Sequence, residues 1–169
     1  MRIRITPQLR GHSGRGSPFH STGRKFLGYA LWVVAGGVVK RAVAAKPLET
    51  FKRRIRQKTR RSGGRSMEQV IDELRSYLLG WKAYFGLSQT PKVWRELDEW
   101  LRHRLRAVQL KQWKRGTSMF RELRAMGASH DVARRIAANS RRWWRNSGKL
   151  LNSVLNLAWF DRLGLPRLA

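Results

Sequence analysis

A mainly α fold, a helical bundle preceded by one short β-hairpin, is what this sequence predicts, and three observations predict it. Apolar residues recur at helical spacing through two long stretches, 66–85 and 90–114. Those stretches open on helix-start signals, Ser66 with Gln69 and Thr90 with Pro91. Ahead of them, two β-rich runs, 26–34 and 38–44, flank Ala35-Gly36-Gly37, where glycine supplies the positive φ of a tight turn. The expected organisation is a disordered basic tail over 1–24, a hairpin over 25–45 and a helical domain over 46–169.

The tail holds five Arg and no acid among many Gly, Ser and His, with no sustained apolar period. The run 26–39 superficially imitates a signal peptide, since it is apolar, follows a basic stretch and precedes Ala42-Val43-Ala44. Lys40 and Arg41 interrupt that pattern, two glycines break the run, and its length cannot span a bilayer as a helix. A hairpin is the better reading, and a lone hairpin is marginal in water, so it must pack on something.

Pro47 suits the first turn of a helix whose apolar stripe is Leu48, Phe51 and Ile55, with Ser62-Gly63-Gly64 ending it. After the Ser66 cap, Met67, Val70, Ile71, Leu74, Tyr77, Leu78, Trp81, Tyr84 and Phe85 share one side of the next helix. Gly80 inside that helix costs about 1 kcal/mol relative to Ala, so a close helix–helix contact is expected there. Pro91 opens the longest helix, to about Lys114, with Val93, Trp94, Leu97, Trp100, Leu101, Leu105 and Val108 facing the core. Arg95, Arg102 and Arg106 fall on another face, with Trp113 on the same line. Thr117 is expected to cap a short helix stopped by Gly127, and Ser129 to cap another through about Ala138. A polar basic loop with the paired Trp143-Trp144 follows, then a last helix from about Leu150 to Arg162.

Against this frame stands the charge. Thirty-seven Lys and Arg face ten Asp and Glu, a formal net charge of +27 in 169 residues. Such an excess repels itself in the compact state, and a polyanion is the simplest compensating partner. Eight Trp and the long apolar periods exclude a disordered basic tail as the whole answer. The absence of Cys excludes disulfides, thiolate metal sites and cysteine nucleophiles.

An independent active site is not expected. Two-metal nucleotidyl transfer needs clustered carboxylates. Here Glu49, Glu68, Asp72, Glu73, Glu96, Asp98, Glu99, Glu122, Asp131 and Asp161 are scattered, mostly near helix starts where the dipole favours anions. Neither His12, His20, His103 nor His130 has metal-ligand spacing to another, and His103 reads as a surface pair with Glu99. There is no phosphate-binding glycine loop and no nucleophile elbow. No cofactor and no metal are therefore expected.

What remains is binding. Residues 46–65 hold nine basic residues against one acid, and 134–149 hold six against none. Lys and Arg neutralise phosphates and release counterions, and aromatics beside them stack on unpaired bases. Trp81, Trp94 and Trp100 are assigned to the core, whereas Trp143 and Trp144 fit either role.

At these residues the chain resembles a known family. Lys25-Phe26-Leu27-Gly28-Tyr29 resembles the "KFLGF" run near the palm end of group II intron-encoded reverse transcriptases. Tyr77-Leu78-Leu79-Gly80-Trp81-Lys82-Ala83-Tyr84-Phe85 resembles the "L-x-GW-x-NYF" signature of their maturase-specific domain, or domain X, which includes the thumb. The run 97–106, the Lys111-Gln112-Trp113-Lys114 stretch and Ala158-Trp159-Phe160 with Gly164-Leu165 are similar to later motifs of that family, in order.

The resemblance implies a thumb-like bundle that grips RNA, group II intron RNA or an RNA–DNA duplex, and supports splicing. Combined with the faces above, it places phosphate contacts at Lys52, Arg53, Arg54, Arg56, Lys58, Arg60, Arg61 and Arg65. It adds Lys82, the Arg95, Arg102 and Arg106 line, the stretch Lys111, Lys114 and Arg115, and the loop Arg141, Arg142, Trp143, Trp144 and Arg145. The family's fingers, its "Y-A-D-D" palm run and its nuclease domain have no counterpart here, so its polymerase and endonuclease activities do not carry over. The chain reads as a C-terminal fragment, expected in the cytoplasm and without a membrane partner. Two alternatives are the thumb subunit of a split reverse transcriptase, completed by a separately encoded palm, and a remnant without a selected role.

Overall fold

The computed structural model describes residues 24–60 and 64–169. The expected tail lies outside the described residues as far as residue 23, and Arg61 lies outside them too. The fold is mainly α with a small antiparallel sheet in front. Its elements run β1 (Arg24–Phe26), β2 (Tyr29–Val33), β3 (Val39–Val43), α1 (Ala45–Lys58), α2 (Met67–Phe85), α3 (Pro91–Gln112), α4 (Gly116–Ala125), α5 (His130–Ala138), α6 (Trp143–Asn146), α7 (Lys149–Asn152) and α8 (Leu157–Arg162).

The hairpin forms as the glycines predict. β2 and β3 pair antiparallel with Tyr29 opposite Val43 and Val33 opposite Val39, and Gly36 and Gly37 both take positive φ. The first run does not stay one strand. It breaks at Leu27-Gly28, so that β1 folds back on β2 and makes a third strand in the order β1-β2-β3. Gly28 makes this turn possible: its φ is 82°, and a Cβ there would sit 3.2 Å from the Pro47 ring. The sheet is fastened to the bundle by reciprocal tyrosines. The Tyr29 hydroxyl donates to the Tyr84 carbonyl at 2.5 Å, and the Tyr84 hydroxyl donates to the Leu27 carbonyl at 2.9 Å. Tyr84 is thus 53% exposed rather than a core residue; the sheet, not the bundle interior, is its partner. Gln89 fixes the outer edge of β3, donating its N–H to the Arg41 carbonyl at 2.8 Å and accepting the Arg41 N–H on its side chain.

Two apolar clusters form the core, and α3 is the spine they share. The first joins Phe51 and Ile55 of α1 to Val70, Ile71, Leu74 and Leu78 of α2 and to Leu97, Leu101 and Leu105 of α3. An aromatic column runs through it: Trp81 lies 4.5 Å from Phe51, 4.8 Å from Phe85 and 5.1 Å from Trp94 between ring centres. Burying each such side chain contributes roughly 1.5–3 kcal/mol. The second cluster joins Leu110 of α3 to Met119 and Leu123 of α4, Ala133 and Ile136 of α5, and Leu151 and Leu155.

Helix starts follow the capping chemistry in α2 and α5. Ser66 and Gln69 form a reciprocal capping box, and Ser129 accepts the Val132 N–H. At α4 the expectation fails. Arg115 occupies the cap position and Thr117 lies inside the helix, because Gly116 is the first helical residue. A Cβ on Gly116 would sit 2.6 Å from the Ala137 carbonyl oxygen, so the helix starts where only glycine admits α5 so close.

The C-terminal third departs most from expectation. The predicted loop contains the short helix α6, and the predicted last helix is divided into α7 and α8. Asn and Ser compete for local backbone groups, which disfavours helix interiors. Accordingly Ser153 donates to the Leu150 carbonyl, and Asn156 caps α8 by accepting the Trp159 N–H. The segment then folds back over the first cluster, where Phe160, Leu165 and Leu168 are buried. Arg75 donates to the Gly164 and Leu163 carbonyls at 3.0 and 3.3 Å, and Lys82 to the Arg167 carbonyl at 2.8 Å. Gly80 meets no helix: nothing lies within 4 Å of where its Cβ would be. Among the described residues no helix is long and apolar enough to cross a membrane.

Candidate nucleic-acid interface

The amphipathic spacing of α1 buries Phe51, Ile55 and Thr59 and leaves Arg53, Arg54, Arg56 and Arg60 exposed, with Lys52 and Lys58 half-buried beside them. A helix end leaves carbonyls without intrahelical partners. Here two arginines from elsewhere satisfy them. Arg65 donates to the Lys58 carbonyl at 2.7 Å, and Arg104 of α3 donates to the Arg56 carbonyl at 3.2 Å while also bonding the Thr59 hydroxyl. The Thr59 hydroxyl in turn donates to the Ile55 carbonyl at 2.6 Å. The Arg56 guanidinium lies 5.5 Å from the centre of the Trp100 ring, a cation–π arrangement.

The same end of α1 is tied to the end of α3. The Gln112 side chain donates to the Arg65 carbonyl at 2.8 Å. This bond draws together the basic end of α1 and the α3 terminus, where Lys111, Lys114 and Arg115 are exposed. Sequence reasoning omitted Arg104, whose signal was present: it stands seven residues before Lys111, on the same side of α3.

The arginine line on α3 is corrected. Arg95 is exposed, but Arg102 is 2% and Arg106 7% exposed, because the refolded C-terminal segment covers that side of α3. Arg102 pairs with Asp98, and both guanidiniums lie near the Phe160 ring, at 5.9 and 5.6 Å. Arg106 donates to the Leu155 carbonyl at 2.8 Å and to the Asn152 side chain at 2.5 Å. Burial, and next the neighbouring Arg102 charge, lower the Arg106 pKa to about 10, so it remains protonated at neutral pH. Both are structural cations and are removed from the phosphate-contact set.

The tryptophan pair is also placed. Trp143 packs on the second core cluster, and Trp144 stacks on His103 with ring centres 4.2 Å apart at 17°. His103 therefore does not serve as a surface partner of Glu99: its Nε2 lies 3.0 Å from the Trp144 carbonyl oxygen. Both indoles are half-buried, while Arg141, Arg142 and Arg145 around them are exposed. Lys82, although exposed, is occupied by the Arg167 carbonyl.

Several carboxylates are individually matched to cations: Glu73 to Arg65, Asp72 to Arg75, Glu96 to Lys92, Asp98 to Arg102, Glu122 to Arg121 and Asp161 to Arg167. Hydrogen bonds from Arg65 and Arg167 hold the Glu73 and Asp161 carboxyls below their usual range. No group of three or more His, Asp or Glu among the described residues is arranged to hold a metal ion.

No curated protein matches the chain. Residues 48–127 match the family described as the group II intron, maturase-specific domain, from the apolar stripe of α1 to the glycine that stops α4. The helical region 48–127 of this chain is therefore a group II intron maturase-specific domain.

Proposed function

We propose that the chain grips group II intron RNA through the basic surface of α1 and the end of α3, and does so without a catalytic centre of its own. The observation that carries this reading is the row of exposed cations Arg53, Arg54, Arg56 and Arg60, continued by Lys111, Lys114 and Arg115, within the matched domain. The backbone under that row is pinned by Arg65, Arg104 and Gln112, so binding would order side chains and not the helix itself. Arg141 and Arg142 before α6 and Arg145 within it add a second cluster of exposed cations. The pairing of several acids with individual cations supports a binding role over metal-assisted chemistry.

Filter binding of a group II intron RNA across a salt series tests the reading. Affinity is expected to fall steeply and linearly on logarithmic axes. Replacing Arg53, Arg54, Arg60 and Lys111 by Gln should reduce that slope by about 1 for each phosphate no longer neutralised. Salt-insensitive binding, or no binding, would sink it.

One observation favours a second reading, in which a separately encoded palm completes the chain. The sheet exposes Val33, Val38 and Val39 at 58, 55 and 54% around its β2–β3 turn, and Phe26 and Leu27 at the opposite, β1–β2 end. Mixing the chain with an intron-type palm should then give a complex and primer extension; neither would appear if the sheet stands alone.

A further inference from the structure

A cleft of about 470 Å³ opens between the end of α4 and α8, lined by Ala125, Met126, Val154, Trp159, Arg162 and Leu163. We propose that this cleft receives a single unstacked base of the bound RNA, with the adjoining phosphate on Arg162. The proposal rests on the RNA-binding reading above and adds a site to it, away from the α1 surface.

Four features carry it. The volume falls in the range of small-ligand sites, roughly 300–1,000 Å³, and suits one base with part of its ribose. The lining joins an indole and a thioether to aliphatic side chains, the chemistry on which a base face stacks in a sequence-tolerant way. The one charge in the lining is the cation Arg162, and no acid is there to repel a phosphate. Arg162 is exposed and has no side-chain partner among the described residues, and Met126 remains 41% exposed.

The wall is also held in place. Trp159 packs on both core clusters, and its ring meets Phe160 edge-on at 4.8 Å and 79°. A base entering the cleft would find the indole already positioned, which limits the ordering cost of binding. An apolar protein side chain would fit the slot but would leave the Arg162 charge uncompensated, which favours a nucleotide.

The test compares the full chain on a short fully paired RNA duplex and on the same duplex carrying one bulged, photoreactive uridine. The bulged RNA is expected to bind roughly 10-fold tighter, the range of one base–aromatic stack. It should also crosslink within 122–128 or 154–163. Met126→Trp, which fills the cleft, and Arg162→Gln, at an exposed position, should each abolish the preference, with duplex affinity staying near wild type for Met126→Trp. Equal binding of the two RNAs, a preference surviving in both variants, or crosslinks confined to α1 would overturn the proposal and leave the RNA-binding reading standing. Failure to bind either RNA would overturn both. A wild-type dimer that becomes monomeric on Met126→Trp, without any preference for the bulge, would assign the cleft to a second copy of the chain and reject the base.

Discussion

Asp98 shows how much one side chain can decide. It is one carboxylate on a helix crowded with cations, and it serves both its own helix and the C-terminal segment. One oxygen pairs with the buried Arg102, and the other accepts the Leu168 N–H at 3.0 Å. Arg102 already has two buried nitrogens, Nε and Nη2, without a partner among the described residues. Asp98→Ala would leave its charge uncompensated, so a loss of about 3–5 kcal/mol is expected. Urea denaturation against the exposed control Glu99→Ala, expected near zero, checks it. Two glycines give opposite predictions from the same substitution. Gly80 lies exposed in the interior of α2 with open space at its Cβ, so Gly80→Ala should stabilise the chain by about 1 kcal/mol. At Gly116 the new methyl would press on the Ala137 carbonyl, so Gly116→Ala should destabilise by about 1–3 kcal/mol.

At the scale of elements, the sheet and α1 are both held by groups distant in sequence. The sheet depends on α2 and the following loop through Tyr29, Tyr84 and Gln89. Tyr84→Phe removes a hydrogen bond worth about 1 kcal/mol. Amide exchange should then quicken in β2 and β3 while α2 and α3 keep their protection, and uniform loss of protection would show that the sheet and bundle unfold as one. The basic end of α1 is capped by Arg65 and Arg104, which explains why a helix so rich in like charges stays wound to Lys58. These two arginines are close to the proposed binding surface but are engaged with backbone carbonyls.

Across the whole molecule the +27 charge sets the response to solvent. Raising salt from about 0.1 to 1 M shortens the screening length from about 10 to 3 Å. The melting temperature of the RNA-free chain should therefore rise with salt, opposite to the trend in RNA affinity, and a fall would argue against self-repulsion as the dominant surface term. Acid acts in the other direction. The Glu73 and Asp161 carboxyls lie below their usual values, so they protonate less readily in the folded chain than in the unfolded one. Their contribution is present above the ordinary carboxylate range and is lost as pH falls below about 4. The urea midpoint should drop across that window, and less so in a Glu73→Gln, Asp161→Asn double variant.

The sequence by itself determined the helices of the matched region, the hairpin turn and the outward row on α1. Each of these rests on local physics: apolar spacing at the helical period, Ser66 and Ser129 as caps, glycines where φ must be positive. It also placed Trp81, Trp94 and Trp100 in or against the core, because a side chain on an apolar stripe has one side to go. Only the tertiary structure decided which arginines remain available. Arg95, Arg102 and Arg106 share a face of α3, yet the folded-back segment after α6 leaves the first exposed and encloses the other two. That segment is short, broken by Asn and Ser, and held by carbonyls that Arg75, Lys82 and Arg106 reach from far along the chain. Periodicity describes a helix against an unspecified neighbour; which neighbour arrives, and which charges it covers, is settled by packing.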